Sequence, residues 1–249
     1  MDGKCVGMPY IKKTCKSGRT KHVECYYSVK WHSKKEGRRE KKQKPTTEAQ
    51  KKVNLRRAED ILTKKMDANF CGNDYYITLD YRPDERPEGK EELLEQMKKF
   101  LRDMRKLYKQ EETTLKYIWV AEIGSKGATH IHMVVNEIDI NKLKKMWKYG
   151  GMTIKPMWDD GNYRKLAAYF IKYSEKTLNT TGELHGKRWN QSKNLITPPE
   201  KIQVIKSRDH YSQNIKVPKG YYLDKDSVRT GVHEITGYSF LRYTLVKME

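Results

Sequence analysis

The stretch from Tyr75 to Leu178 constrains the fold most, because its apolar period switches repeatedly between 2 and 3.6 residues. "YYITLDY" (75–81), β-branched and aromatic, follows the turn signal "CGND" and reads as a strand. "RPDERPEGK" is a loop with two prolines and a glycine. "EELLEQMKKFLRDMRKLYK" then places Leu93, Leu94, Met97, Leu101, Met104 and Leu107 on one helical stripe. Acidic residues open that helix and basic ones close it, as the helix dipole favours. "LKYIWVAEI" and "THIHMVVN" read as strands joined by the short turn "GSKGA". "DINKLKKMWKY" reads as a short helix, "GGMTIKPMW" as a strand and "DDGNYRKLAAYFIKYSEKTL" as a helix.

The order is therefore β-α-β-β-α-β-α, and its first six elements match the split βαβ, ferredoxin-like plan. The expected class is α+β: an antiparallel sheet with helices on one face, extended at both ends. Upstream, "RTKHVECYYSV" (19–29) is a strand that can begin earlier, and "KWHSKKEGRREKKQKPTT" is a basic loop. Thr46 or Thr47 can cap the next helix, whose stripe is Val53, Leu55, Ala58, Ile61, Leu62 and Met66. Downstream, residues 180–249 are mostly loop, with strands at "KIQVIKS" and "GYSFLRYTLVK". The expected division is a basic N-terminal extension (1–46), a central domain (47–180), and a C-terminal extension or small accessory region (181–249).

Charge narrows the partner. The 249 residues hold 52 Lys and Arg against 32 Asp and Glu, a net charge of +20. So large an excess costs self-repulsion unless a polyanion offsets it, which points to nucleic acid. The N-terminal residues contain no apolar run of signal-peptide kind, and no segment approaches membrane-span length. Cys5, Cys15, Cys25 and Cys71 form no CxxC pair, and their spacing fits no standard zinc knuckle, so they read as reduced thiols of a cytoplasmic protein.

The chemistry centres on "THIHMVVN". Residues i and i+2 of a strand share a face, so His130 and His132 project side by side while Ile131 and Met133 point away. Two imidazoles so placed are half of a divalent-metal site. Glu122 ends the preceding strand, and an antiparallel hairpin would bring its carboxylate near them, in a register the sequence leaves open. Two satisfied histidines on a half-buried sheet face are the plainer reading. Downstream, Tyr169, Lys172, Tyr173 and Lys176 follow a YxxKYxxK pattern. At about 100° per residue they share an arc of roughly 100° beside an apolar arc of Tyr163, Leu166, Ala167, Phe170, Ile171 and Leu178; Tyr169 and Lys172 are clear of that arc and Tyr173 sits at its edge, where packing alone can explain it. A phenol beside lysines and facing a metal-bound phosphate can be activated as a nucleophile.

"THIHMVVN" followed by "AAYFIKYSEK", with "ITLDY" upstream, resembles the HUH endonucleases, specifically the rolling-circle replication initiators of plasmids and single-stranded DNA phages. The resemblance covers about residues 50–180 and has the initiator order, histidines before tyrosines. It implies an HUH nickase domain at 47–180 in a bacterial host. His130, His132 and Glu122 would hold a divalent ion, Mg²⁺ or Mn²⁺. Tyr169, helped by Lys172, would attack single-stranded or origin DNA, leaving a 5′-phosphotyrosine link and a free 3′-OH. Tyr173 would serve a second transfer. Host helicase and polymerase would be partners, and no membrane is involved.

Two other classes fit the residues. One is a non-catalytic nucleic-acid-binding protein on a ferredoxin-like sheet, with Trp31 or Trp189 stacking on bases. The other is an HUH transposase or relaxase of a mobile element. No phosphate-binding loop of the Walker kind is present, which argues against a fused helicase.

Overall fold

The computed structural model describes residues 8–28, 31, 47–123, 128–181, 188–206, 213–233 and 237–248. The basic run at 34–44, most of the 124–128 turn and the side chain of Leu178 lie outside them. In chain order, β1 (Tyr10–Ser17) and β2 (Thr20–Tyr27) precede α1 (Glu48–Asn69). Next come β3 (Tyr75–Asp80), α2 (Lys90–Gln110), β4 (Tyr117–Ile123) and β5 (Thr129–Val135). Then follow α3 (Ile140–Lys144), β6 (Met152–Pro156) and α4 (Arg164–Thr181). The last strands are β7 (Asn190–Gln191), β8 (Glu200–Val204), β9 (Tyr221–Val232) and β10 (Ser239–Lys247).

Contacts divide the chain into two units: Ala58–Thr197, and Met1–Arg57 together with Pro198–Glu249. The division falls inside α1, whereas sequence suggests limits after 46 and 180. The two terminal segments share one sheet, because β1 pairs with β8 and β2 with β10.

In the central unit the sheet order is β6-β3-β5-β4-β7, every pair antiparallel. Its first four strands have the order of the split βαβ plan, with β3 and β5 central. Ile77, Leu79, Ile131, Met133, Trp119 and Ala121 form one apolar face. Leu93, Met97, Phe100, Leu101, Met104 and Leu107 of α2 and Leu143 of α3 cover it. Each such side chain contributes about 1.5–3 kcal/mol by leaving water. That outweighs the few tenths of a kcal/mol lost at Gly89, which gives α2 no side-chain cap. Helices on one face thus describes α2 and α3; α4 lies on the other. The buried Tyr163, Leu166, Ala167, Phe170 and Ile171 are the apolar arc that takes it there.

Helix α1 begins where expected: the Thr47 hydroxyl accepts from Gln50 N–H at 3.3 Å. Its stripe is rotated, however. Ile61 is 45% exposed, while Thr63, Asp67 and Asn69 are buried. The polar residues go inward because they bind loops: Asp67 accepts from Tyr163 N–H at the start of α4, and Asn69 bonds both N–H and C=O of Ile196. The third helix is shorter than "DINKLKKMWKY", because Trp147 leaves the helical course to pack in the core and donate to the Asp80 carbonyl at 2.9 Å.

Gly150 sits at that same place. A Cβ there would stand 2.0 Å from the Asp80 carbonyl oxygen and 2.9 Å from Arg82 N. The end of β3 can therefore bond to Gly151 and Tyr149 only if residue 150 has no side chain. Gly150→Ala is expected to cost about 1–3 kcal/mol, read as a lowered urea midpoint, since backbone rather than a mobile side chain must move.

The terminal unit is a sheet of order β8-β1-β2-β10-β9, also antiparallel throughout. What sequence reads as a single strand here is a hairpin. Gly18, at φ 54°, takes the first central position of its two-residue turn. Among the described helices none is long and apolar enough to cross a membrane.

Candidate active site

Register settles what sequence left open. Asp80 and Glu122 both lie directly opposite His130, on β3 and β4 respectively, and Thr78 lies opposite His132. Paired residues share a face, so Tyr76, Thr78, Asp80, Glu122, His130 and His132 all project toward the side covered by α4. Glu122 therefore meets the histidines, as the hairpin argument required.

The polar groups are paired. His130 Nδ1–H donates to Asp80 Oδ1 at 2.6 Å. His132 Nε2–H donates to Glu122 Oε2 at 2.9 Å, which leaves His132 Nδ1 to accept from the Tyr76 hydroxyl at 2.8 Å. Lys176 Nζ donates to the other Glu122 oxygen at 3.2 Å. The site is graded in depth. The side chains of His132 and Glu122 are 6% and 13% exposed, those of His130 and Asp80 35% and 43%. A substrate would enter from the His130–Asp80 end. Burial holds His132 below its usual pKa despite the carboxylate beside it, which favours the neutral ring.

Helix α4 brings the tyrosines to this face. Thr177 fixes its height: the hydroxyl donates to Ala121 C=O at 3.0 Å and accepts from Ile123 N–H at 3.4 Å, bracketing Glu122. One and two turns earlier, the rings of Tyr173 and Tyr169 lie 5.0 and 5.3 Å from the His132 ring, and 4.3 Å from each other. Both phenols are half-buried. The two are unequal. Burial, with a hydrogen bond to Tyr76, raises Tyr169, and a hydrogen bond from Tyr173 offsets part of this by favouring its phenolate. The same bond is the main reason that Tyr173 is pushed up to about 12, with burial second.

Of the residues singled out from sequence, His130, His132, Glu122, Tyr169 and Tyr173 come together. Lys172 is exposed on α4, where its charge favours the Tyr173 phenolate. Lys176 is the lysine that reaches a carboxylate. Sequence reasoning misses Tyr76 and Asp80. The signal for them is present in "YYITLDY": Tyr76, Thr78 and Asp80 form a polar row on a strand whose alternate residues are Ile77 and Leu79. Trp189 donates its indole N–H to Gln191 at 2.9 Å.

Among the described residues no three His, Cys, Asp or Glu side chains are grouped as a ready metal cage. The donors stand instead as two imidazole–carboxylate pairs. Both imidazoles are held at Nδ1, His130 by Asp80 and His132 by Tyr76. For His130 this leaves Nε2 open, as in metal-binding histidines, whereas Nε2 of His132 is bonded to Glu122 and would reach an ion only by giving up that bond. Two imidazoles and a carboxylate are donor types that a divalent cation takes.

Residues 74–178 match the family model for the replication-associated protein ORF2. Over this segment the chain is similar to that family, a rolling-circle replication initiator family of the HUH type. No curated protein and no solved structure gives a significant match. The replication-associated segment contains every residue of the site, from Tyr76 to Lys176. It also contains the elements from β3 to β6 and α4 as far as residue 178, and the similarity supports a role in replication initiation with DNA as partner.

Proposed function

We propose that the chain is a nickase that initiates rolling-circle replication by tyrosine attack on single-stranded DNA. The observation that carries this reading is the placement of Tyr169 beside His132, on the one sheet face that also holds His130 and Glu122. Tyr169 Oη forms a bond to phosphorus as the bond from phosphorus to the 3′ oxygen breaks. The phenol loses its proton and the departing oxygen gains one, giving a 5′-phosphotyrosine link and a 3′-OH able to prime synthesis. His130, His132 and Glu122 would hold Mg²⁺ or Mn²⁺, which when bound draws negative charge from the scissile phosphate. Lys176 orients Glu122 through its hydrogen bond. Tyr173 first supports the Tyr169 phenolate by its hydrogen bond, and once Tyr169 is consumed it is the phenol placed for the second transfer. Lys172, at the rim, is available to the phosphate backbone.

The test uses single-stranded oligonucleotides tiled across the chain's own replicon, labelled at the 3′ end and incubated with the protein and Mn²⁺. Label that stays with the protein on a denaturing gel only when metal is present supports the nickase. Tight binding without any adduct, over tiles that span the origin, would favour a binding module. The same protein tests the supporting residues. Asp80→Asn and Tyr76→Phe are each expected to weaken Mn²⁺ affinity about 10–100-fold in a direct titration, because each frees one imidazole to turn.

A further inference from the structure

We propose that the sheet of the terminal unit is the surface on which this protein holds duplex DNA. The inference deepens the initiator reading and rests on it only for the identity of the polyanion. The excess charge is unevenly divided. Residues 58–197 carry 25 Lys and Arg against 21 Asp and Glu, so the unit with the tyrosines is close to neutral. Residues 1–57 with 198–249 carry 27 against 11, which is 16 of the 20 net charges.

Within the terminal sheet the charge is sorted by face. Lys12, Thr14 and Lys16 alternate along β1 and so share a face. Opposite them lie Lys21 on β2 and Lys201 and Gln203 on β8. Val23, Cys25, Leu241 and Tyr243 fill the β2–β10 part of this face with an apolar cluster, so the cations gather on its β8–β1 part and at its end. The carboxylates of the same strands are on the reverse face: Glu200 is paired there with Lys13 at 2.7 Å, and Glu24 faces Arg242. Lys16 stands directly across from Lys21. Like charges in that position destabilise an antiparallel pair. The adjoining turn adds Arg19, whose guanidinium and carbonyl both bond the backbone of Lys247, drawing a further cation to this end of the sheet. A ligand with closely spaced negative charge would relieve that repulsion.

The chemistry favours a duplex over an unpaired strand. Single strands are held by base stacking on exposed rings. On this face Tyr10 and Tyr243 are 2% and 7% exposed and the half-buried Tyr27 packs its ring against Tyr10 and Tyr238, so the side chains that alternate with the lysines are Thr14 and Gln203. From Lys12 to Lys16 is about 14 Å along the strand, and from β8 to β2 about 10 Å. A cationic patch of that size suits a phosphate backbone whose bases are stacked out of reach.

The test is the salt dependence of binding to a labelled duplex of arbitrary sequence, followed by anisotropy without metal. The Lys12→Ala/Lys16→Ala/Lys21→Ala/Lys201→Ala variant is expected to lower the slope of log K against log salt by about 3–4, and the matching Lys→Arg variant to restore it. The Lys16→Ala/Lys201→Ala double variant, for use if the fourfold one does not fold, should lower it by about 2. Alanine at Lys98, Lys99, Lys106 and Lys109 of α2 should change it by less than about 1. Adduct formation on a short single-stranded oligonucleotide should survive in the sheet variants. An unchanged slope in the sheet variants, or an equal loss in the α2 variant, overturns the proposal. A wild-type protein that forms no adduct counts against the nickase instead, and leaves the comparison of slopes intact.

Discussion

Tyr169→Phe is expected to abolish the covalent protein–DNA adduct, lowering its rate by at least about a thousandfold, the scale on which loss of a nucleophile acts. The substitution removes one hydroxyl and keeps the ring, so its packing with Tyr76, His132 and Tyr173 persists and stability should hardly change. Tyr173→Phe should behave differently. It removes the hydrogen bond that favours the Tyr169 phenolate, which slows the first cleavage modestly, about tenfold for one lost bond of about 1–1.5 kcal/mol. It should also remove the second strand transfer altogether. A first cleavage lost in Tyr173→Phe and kept in Tyr169→Phe would reverse the assignment. Single-turnover cleavage and a separate joining assay distinguish these outcomes.

His132→Ala is expected to be the most damaging change on the sheet. Even residues that merely orient a metal-binding histidine cost about 10–100-fold in affinity, so loss of the ligand itself should exceed that. His130→Ala should act the same way, with less effect on folding because its ring is the more exposed of the two. His132 is buried between Tyr76 and Glu122, and its removal leaves Glu122 in a half-closed site with Lys176 as its remaining partner. Duplex binding should survive in both variants. A Mn²⁺ titration beside a cleavage assay checks the pair, and metal-dependent nicking at the normal rate in either variant would remove these histidines from the reaction.

Much of this site is legible before any coordinates, for identifiable reasons. The i, i+2 rule puts His130 and His132 on one face wherever the strand pairs. Helical geometry alone sets Tyr169 clear of the stripe of Leu166, Ala167 and Phe170 and puts Tyr173 at its edge. What pairing adds is not local. Asp80 reaches His130 only because β3 lies beside β5 in one particular register, and a one-residue slip would turn it to the other face. The same limit hides the terminal sheet. Nothing in "RTKHVECYYSV" shows that it pairs with "SFLRYTLVK" more than two hundred residues later. Strand β9 escapes notice because Asp224, Asp226 and Gly231 break its alternation, and because its pairing with β10 shifts register between Arg242 and Thr244. Periodicity misplaces Ile61 in the core because it does not register that Asp67 and Asn69 have loops to bind.

The central claim is that Tyr169 is the first nucleophile, and one measurement addresses it directly. Lys165, Lys172 and Lys176 place the two phenols on separate tryptic peptides, residues 166–172 and 173–176. The adduct formed with a single-stranded origin oligonucleotide would be trimmed by nuclease, digested with trypsin and read by mass spectrometry. The account predicts a nucleotide phosphate mass on Tyr169 within residues 166–172, present only when metal is supplied. The same mass on Tyr173 alone, or on a residue outside α4, would contradict it.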